Sequence, residues 1–538
     1  MPYPLTLSTI LGRNRKLFGK KEVVTRDFGG IHRYDYAAYN SRVAKLANAL
    51  ARLGVKKGER VGTFGWNSHR HLEAYLAVPC MGSVLHTINI RLFADQLAYI
   101  VNHAEDAVLL VDEDLVPAVE AVADRIPTVR AFVIMSDKKA APDTKLRPVY
   151  SYEALLDAEK GEFDWPEDID ENSTAALCYT TATTGNPKGV PYTHRGICLH
   201  ALAICTADQV GICERDAVMP VVPMFHVNAW GLPFAAVWMG AKQVFPGSRP
   251  DAKALVELIE GEKVTITAGV PTVFMGVAQL LKQERRDMSS LRSIVIGGSA
   301  APRSLIRRIE KELGIPVIHA YGMTETYPVV LLSRPKSYLE GLPEEELYEI
   351  KGRQGTLLPC LEMRVVAEDG SEVPWDGINL GELRLRGQWI AEEYYREPER
   401  TRESIRDGWL CTGDVVTVDP EGYVQIQDRT RDLIKSGGEW ISSIDLENSI
   451  MSHPAVAEAA VIGVASEKWT ERPMACVVLK PEYEGKIGAR EILAFLSDRV
   501  AKWWLPDEVV FVDAIPKTSV GKFAKRFLRE RFKEKRFE

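Results

Sequence analysis

The feature that most constrains this chain is a long alternation of short apolar runs with amphipathic stretches, evident from about Arg60. "RVGTFGW" reads as a strand and Arg70–Cys80 as a helix; "SVLHTINI" and then Phe93–His103 repeat the pair, and "AVLLVD" follows. Strands that alternate with helices predict parallel sheets buried on both faces, because each crossover lays a helix on the sheet. The segment 138–172 is polar and rich in Pro and Asp, which predicts a surface connection. The alternation resumes with "TAALCYT", "AVMPVVPMF", "AKQVF", "VTITAG", "SIVIG" and "PVIHAY" as strands with helices between them. Two such blocks predict two similar α/β subdomains.

After about Gly352 the texture changes to Gly-punctuated strands, "CLEMRVVAEDG", "LGELRLRG" and "GYVQIQD", with few helical patterns. Beyond Asp428 a short α/β pattern returns, enough for a separate C-terminal domain that ends in the basic run KFAKRFLRERFKEKRFE, read as a solvated terminal helix. A chain of 538 residues is expected to hold several folding units. Its net charge of −7 argues against nucleic-acid binding as its main role, although a local phosphate site can still be basic. The eight cysteines form no C-x-x-C pair, so neither a zinc site nor a disulfide scaffold is expected, and a reducing, cytoplasmic compartment is. The first residues do not read as a signal peptide, and no run of about 18 apolar residues suggests a membrane span.

The stretch Tyr179–Gly189, YTTATTGNPKG, follows an apolar strand with a dense set of hydroxyls, a glycine and a lysine. Backbone N–H groups and threonine hydroxyls donate to phosphate oxygens, and Lys188 adds a positive charge, so this is a candidate phosphate-cradling loop. It is not a Walker A loop, because G-x-x-x-x-G-K-[ST] is absent.

With "YGMTET" (321–326), "TGD" (412–414), "DRTRDLIKSGGEWIS" (428–442) and "PKTSVGK" (516–522), the loop resembles those of the acyl-adenylate-forming ligases. The motifs fall in order along nearly the whole chain. "PMFHVNAW", "GGSAAPRSL" and "KSGGEWISS" resemble most the bacterial and archaeal medium- and long-chain fatty-acyl-CoA synthetases. The resemblance implies an α/β protein with a large N-terminal domain (1–428), made of two doubly wound parallel-sheet subdomains and a small β-barrel-like subdomain. A hinge (429–431) then joins it to a small mobile α+β C-terminal domain (432–538). It implies ATP, Mg²⁺ and coenzyme A as cofactors, a fatty acid as substrate, and a homodimer formed through the N-terminal domain.

Residue by residue, the resemblance places Thr180, Thr181, Thr183, Thr184, Gly185 and Lys188 around the phosphates, with Thr324 on the α-phosphate. Glu325, assisted by Thr180, would hold the metal. Gly298, His319, Ala320 and Tyr321 would line the adenine slot, with Tyr321 placed to stack on the base. Asp414 and Arg429 would hold the ribose, and Lys435 and Trp440 flank the nucleotide. Lys522 would reach the carboxylate and α-phosphate during adenylation, then withdraw as the domain turns about Arg431. Gly437, Gly438 and Glu439 would face coenzyme A. The family has glycine where this chain has Ala182, a change that disfavours positive φ and is expected to slow the loop's function.

His226 resembles the family histidine near the carboxylate, with Val227 and Trp230, one helical turn on, in the acyl site. The small residues Gly297, Gly298 and Gly322, with Val329 and Val330, would leave a long apolar channel. No charged residue stands among these positions, which favours an aliphatic acid of medium to long chain. A ligase for short, branched, thioether or aryl acids is the nearest alternative. A nucleotide-binding homologue impaired at Ala182 is the alternative from another class.

Overall fold

A computed structural model describes residues 3–27, 30–180, 186–429, 432–436, 439–517 and 523–537, with only the backbone of Arg429, Glu439 and Trp440. The first alternating block forms a seven-stranded sheet. Its order is Val149–Ser151, Ala131–Met135, Asp106–Asp112, Arg60–Phe64, Val84–Thr87, Thr174–Tyr179, Gly189–Thr193. Every neighbouring pair is parallel except the last, a hairpin whose connection is the phosphate-loop sequence.

The second sheet has nine strands, from Thr356–Leu357 through Val329–Ser333, Val317–Gly322, Ser293–Ile296, Ile266–Gly269, Ala217–Pro220 and Lys242–Phe245 to Glu22–Asp27 and Gly30–Asp35. Six of these run parallel and both flanks turn antiparallel. The two blocks are therefore not sequential. Glu22–Asp27, upstream of the alternation read from Arg60, pairs with Lys242–Phe245 and buries Val23 and Val24 completely. The polar segment 138–172 is also more than a connection: it supplies the edge strand Val149–Ser151 and the helix Tyr152–Asp157, capped by the Ser151 hydroxyl.

Helices Leu7–Leu17, Tyr36–Arg52, His69–Cys80, His194–Cys205 and Leu232–Met239 contribute to one apolar core shared by the two sheets. His69–Cys80 is buried on all sides, as expected for a helix held between layers. Its charged residues are paired: Arg70 with Asp27, Asp137 and Glu153, and Glu73 with Arg42.

The Gly-punctuated region is a five-stranded antiparallel sheet built on Leu361–Val366, Gly381–Gly387, Ile405–Arg406, Trp409–Val418 and Val424–Arg429; among the described residues no ladder closes it into a barrel. The C-terminal sheet centres on the long pair Val456–Ser466 and Thr470–Leu479, with Glu508–Phe511 added in parallel. The basic tail is docked rather than solvated. Its helix is only Lys525–Arg531, Leu528 is buried, and Phe537 returns its N–H to the Ala465 carbonyl at 2.9 Å. No described helix is long and apolar enough to cross a membrane, and all eight cysteines are free thiols.

Candidate active site

Parallel strands place all their carboxyl ends at one edge, and in open α/β sheets ligands bind outside those ends. In the nine-stranded sheet, Gly297–Gly298 follow Ser293–Ile296, and Met323–Thr326 follow Val317–Gly322, the last parallel strand before the antiparallel Val329–Ser333. His226 follows Ala217–Pro220 at the same edge. The five-stranded sheet brings Asp414 to this edge: its carboxylate accepts a hydrogen bond from the Tyr321 hydroxyl at 2.5 Å. Tyr321 thus ties the expected base site to the expected ribose site. Asp414 also lies opposite Arg429 in the ladder.

On the expected phosphate side, the hairpin Thr174–Tyr179/Gly189–Thr193 is closed at its mouth by the Thr180 N–H, which donates to the Lys188 carbonyl at 2.9 Å. Thr181, Ala182, Thr183, Thr184 and Gly185 lie outside the described residues. Glu325 is buried at 7% exposure, and its Oε1 accepts from the Tyr394 hydroxyl at 2.6 Å. The Lys188 ammonium lies 4.2 Å from the centroid of the same tyrosine ring. Burial lowers the pKa of Lys188, and the neighbouring Glu325 partly offsets this.

The backbone around these groups is fixed from two directions. The Ala391 N–H donates to the Glu325 carbonyl at 2.8 Å, and the Tyr395 N–H donates to the Gly189 carbonyl at 2.8 Å. From the other side, the Tyr192 hydroxyl donates to the Thr324 carbonyl at 2.6 Å, and the Tyr192 ring stacks on Tyr327 at 3.9 Å. None of Tyr192, Tyr327 or Tyr394 stands out in the sequence reading. The one signal for Tyr394 is an aromatic pair, "YY", inside an otherwise charged segment.

His319 stands behind this edge and is not free to meet a base. Its Nε2 accepts from the Ala301 N–H at 3.2 Å, so Nδ1 carries the proton and donates to the Gly352 carbonyl at 3.0 Å. Burial holds the ring neutral and lowers its pKa to about 4. It is a brace for the turn that follows Gly297–Gly298.

The expected acyl side is built differently. Residues Val227–Trp230 form a left-handed turn, not the right-handed one expected: φ is 44° at Val227, 52° at Asn228, 50° at Ala229 and 58° at Trp230, and Gly231 continues at 75°. Such angles cost about 1–2 kcal/mol per residue for ordinary side chains and less for Asn, so strong packing must hold them. All four side chains are buried. The turn aims Trp230 at the glycines: a Cβ on Gly297 would lie 3.2 Å from the indole Cη2 and 2.7 Å from the Ala320 carbonyl oxygen. Gly298, at φ 80°, faces the same ring. Gly322 has no spare volume, since a Cβ there would lie 1.9 Å from the Pro328 carbonyl oxygen. These glycines admit the indole and neighbouring backbone and do not themselves leave an open channel.

His200 and Trp389 complete this wall. The Val329 N–H donates to His200 Nε2 at 3.2 Å, and the Trp389 indole N–H donates to the Val329 carbonyl at 3.1 Å. Val329 and Val330 are buried, at 5% and 0% exposure. His226 is half-buried beside the turn, and its carbonyl accepts from the Ala229 N–H.

In the C-terminal region, Lys435 is exposed, and its N–H donates to Glu471. Arg431, Gly437, Gly438 and Lys522 lie outside the described residues, as do the side chains of Arg429, Glu439 and Trp440. Three residues beyond Lys522, Lys525 pairs with buried Glu447 at 2.7 Å and donates to the Ser443 hydroxyl at 2.5 Å. The Ser443 N–H donates to Asp428 at 2.9 Å, which joins the C-terminal region to the last strand before it.

Asp414, the lysine-bearing hairpin and buried Glu325 come from three different sheets, and comparison with known proteins shows the family that they belong to. The AMP-binding enzyme family model matches residues 13–395, and the AMP-binding enzyme C-terminal domain model matches residues 445–522. This chain belongs to the AMP-binding enzyme family. It is 50% identical over 535 residues to a long-chain-fatty-acid–CoA ligase of Thermus thermophilus, covering 99% of this chain and 96% of that one. It is 42% identical over 535 residues to a 3-methylmercaptopropionyl-CoA ligase of Ruegeria lacuscaerulensis, with 99% and 98% covered. The crystal structure of an anthranilate CoA ligase in complex with anthranoyl-AMP superposes with a TM-score of 0.88 at 26% identity, covering 99% of this chain and 98% of that one.

Proposed function

We propose that this protein is an AMP-forming fatty-acid:CoA ligase. It activates a medium- to long-chain acid with ATP to an acyl-adenylate and pyrophosphate, then passes the acyl group to the thiol of coenzyme A. The observation that carries this reading is the pairing, at one sheet edge, of a charged phosphate side (Lys188, Tyr394, Glu325) with an uncharged tryptophan-walled side (Trp230, Gly297, Val329). A carboxylate activated by adenylation needs both: cationic and hydroxyl donors where charge moves between phosphates, and a dry wall for the acid's tail.

In this reading, Asp414 and Arg429 bind the ribose, with Tyr321 orienting the Asp414 carboxylate. Lys188 and the threonines of the loop meet the phosphates, with Ala182 slowing that step. Lys522 donates to the carboxylate and α-phosphate, and withdraws when residues 432–538 turn about Arg431. Gly437, Gly438 and Glu439, with Lys435 and Trp440 nearby, then face coenzyme A.

Glu325 and the Thr180 hydroxyl fit Mg²⁺, because that ion takes one or two protein carboxylates and otherwise binds phosphates and water. Glu325 is buried and keeps one oxygen on Tyr394, which leaves the other for such a contact. When bound, Mg²⁺ would neutralise phosphate charge as pyrophosphate departs. A cytoplasmic location and a homodimer formed through the N-terminal domain belong to the same reading.

The test is a panel of acids run with ATP and CoA, with AMP and acyl-CoA both quantified. AMP and acyl-CoA in equal amounts, with kcat/KM highest for saturated acids of about eight carbons or more, is expected. A maximum at short, branched, thioether or aryl acids would move the substrate class while keeping the reaction. Nucleotide binding without AMP would replace the enzyme reading with that of a binding protein.

A further inference from the structure

The left-handed turn Val227–Trp230 needs something to hold it, and one side chain does so from within. Asn228 is 2% exposed, and its Oδ1 accepts from the Thr87 hydroxyl at 3.4 Å and from the Cys178 thiol at 3.6 Å. Thr87 and Cys178 are neighbours, on the parallel strands Val84–Thr87 and Thr174–Tyr179, and their own side chains are 3.5 Å apart. The second of these strands runs into the phosphate hairpin two residues later. The contact therefore joins the turn that carries Trp230 to the seven-stranded sheet. Trp230 itself packs on Gly297 and Gly298 of the nine-stranded sheet.

Two further observations support a specific role. Asn is one of the few residues that adopt left-handed angles readily, because its short side chain bonds locally. Here it is spent on a long-range contact instead. Its Nδ2 is buried without a hydrogen-bond partner among the described residues, so the two Oδ1 contacts alone tie the side chain to the sheet. On the other flank, the turn has no freedom to drift, since Gly231 stands against the His200 ring: a Cβ there would lie 2.6 Å from Nδ1.

We propose that Asn228 is a positioning residue for the acid substrate. Clamped by Thr87 and Cys178, it fixes the left-handed turn and with it the place of the Trp230 indole, and so sets which acyl chain lengths the site accepts. The inference rests on the ligase reading above and deepens its acyl site. Asn228 acts through the turn and Trp230, so its loss should appear in acid binding and chain-length preference and leave nucleotide binding alone.

The experiment measures kcat and the separate KM values for acid and ATP, across saturated acids of increasing length, in the wild-type protein and in Asn228→Gly, Thr87→Val and Thr87→Ser. Glycine keeps the backbone freedom that the turn needs and removes only the clamp. Valine at 87 removes the hydroxyl and keeps the shape, and serine restores the hydroxyl. Expected are a five- to twentyfold rise in KM for the preferred acid and a shifted chain-length optimum in Asn228→Gly and Thr87→Val. KM for ATP should stay within twofold, and Thr87→Ser should behave as wild type. The double variant Asn228→Gly/Thr87→Val should be no worse than either single, because the two act through one contact.

An unchanged acid KM and length profile in Thr87→Val, in a wild type that turns over, overturns the proposal. So does a rise in both KM values together, or a Thr87→Ser variant no better than Thr87→Val. Should Asn228→Gly fail to fold, the Thr87 pair decides alone. A wild type that makes no AMP with any acid instead removes the ligase reading itself, so the two failures are distinct.

Discussion

In the proposed reading the site has a phosphate wall and an acyl wall, and the two are built by opposite means. The phosphate wall holds its charges through tyrosine hydroxyls that arrive from distant sequence: Tyr394 on Glu325 across 69 residues and Tyr321 on Asp414 across 93. The acyl wall carries no charge and is shaped by backbone: a left-handed turn, glycines that admit an indole, and a strand held at both ends of Val329. Charge can be aimed by a single hydrogen bond, because its effect reaches several ångströms. An apolar wall acts only through contact and must be placed as a surface. Substitutions on the first wall should therefore act on rate, and those on the second on which acid is chosen.

The sharpest break of that contrast is Glu325→Gln, which keeps the shape and removes the charge. Acid-dependent AMP formation should fall about 10²–10³-fold, roughly 3–4 kcal/mol, as for loss of one transition-state electrostatic contact. The same variant should leave the chain-length profile unchanged when single-turnover formation of acyl-adenylate is followed.

His319 tests whether a polar brace behind the acyl and adenine floor matters for stability rather than rate. Its folded pKa of about 4 lies below the unfolded value of 6.5, so the folded protein binds fewer protons between those values. Its contribution is complete above pH 6.5 and is lost as pH falls from there toward 4. The limit is on the order of 3 kcal/mol. Urea midpoints of wild type and His319→Gln at pH 7.5 and 5 should show a steeper acid loss in the wild type; parallel losses would mean that the ring is not held neutral.

Gly297→Ala puts a methyl between the Ala320 carbonyl and the Trp230 indole. Overpacking of this kind costs about 1–3 kcal/mol, and it should appear as a lower kcat/KM for long acids than for short ones, with KM for ATP little changed. A uniform loss across chain lengths would remove Trp230 from the account of selectivity. Tyr394→Phe is the mildest change: one hydrogen bond to Glu325 is lost, about 1 kcal/mol, and kcat should drop about fivefold with the acid profile intact.

How much of this was legible in the sequence follows the same division. Strand and helix types were readable from periodicity because apolar runs in a two-sided sheet are local signals. The motif residues Lys188, Glu325, Asp414 and Gly298 were readable because they come in short, ordered words. Several partners that hold the site were not, since Tyr394 reaches Glu325, and His200 and Trp389 reach Val329, only after the chain folds, and nothing local marks them. Glu22–Asp27 was missed for a related reason: its place in the second sheet depends on Lys242–Phe245, more than 200 residues away, which no spacing reveals. The handedness of Val227–Trp230 was not legible either. "HVNAW" contains one residue that favours left-handed angles, and the rest are held there by burial.

The central claim is that this edge adenylates a carboxylate before coenzyme A takes part. The direct measurement is exchange of labelled pyrophosphate into ATP, without CoA, with and without a saturated fatty acid. Exchange that requires the acid and proceeds without CoA is the result this account predicts. No acid-dependent exchange, with ADP and phosphate rather than AMP and pyrophosphate as products once CoA is added, would contradict it.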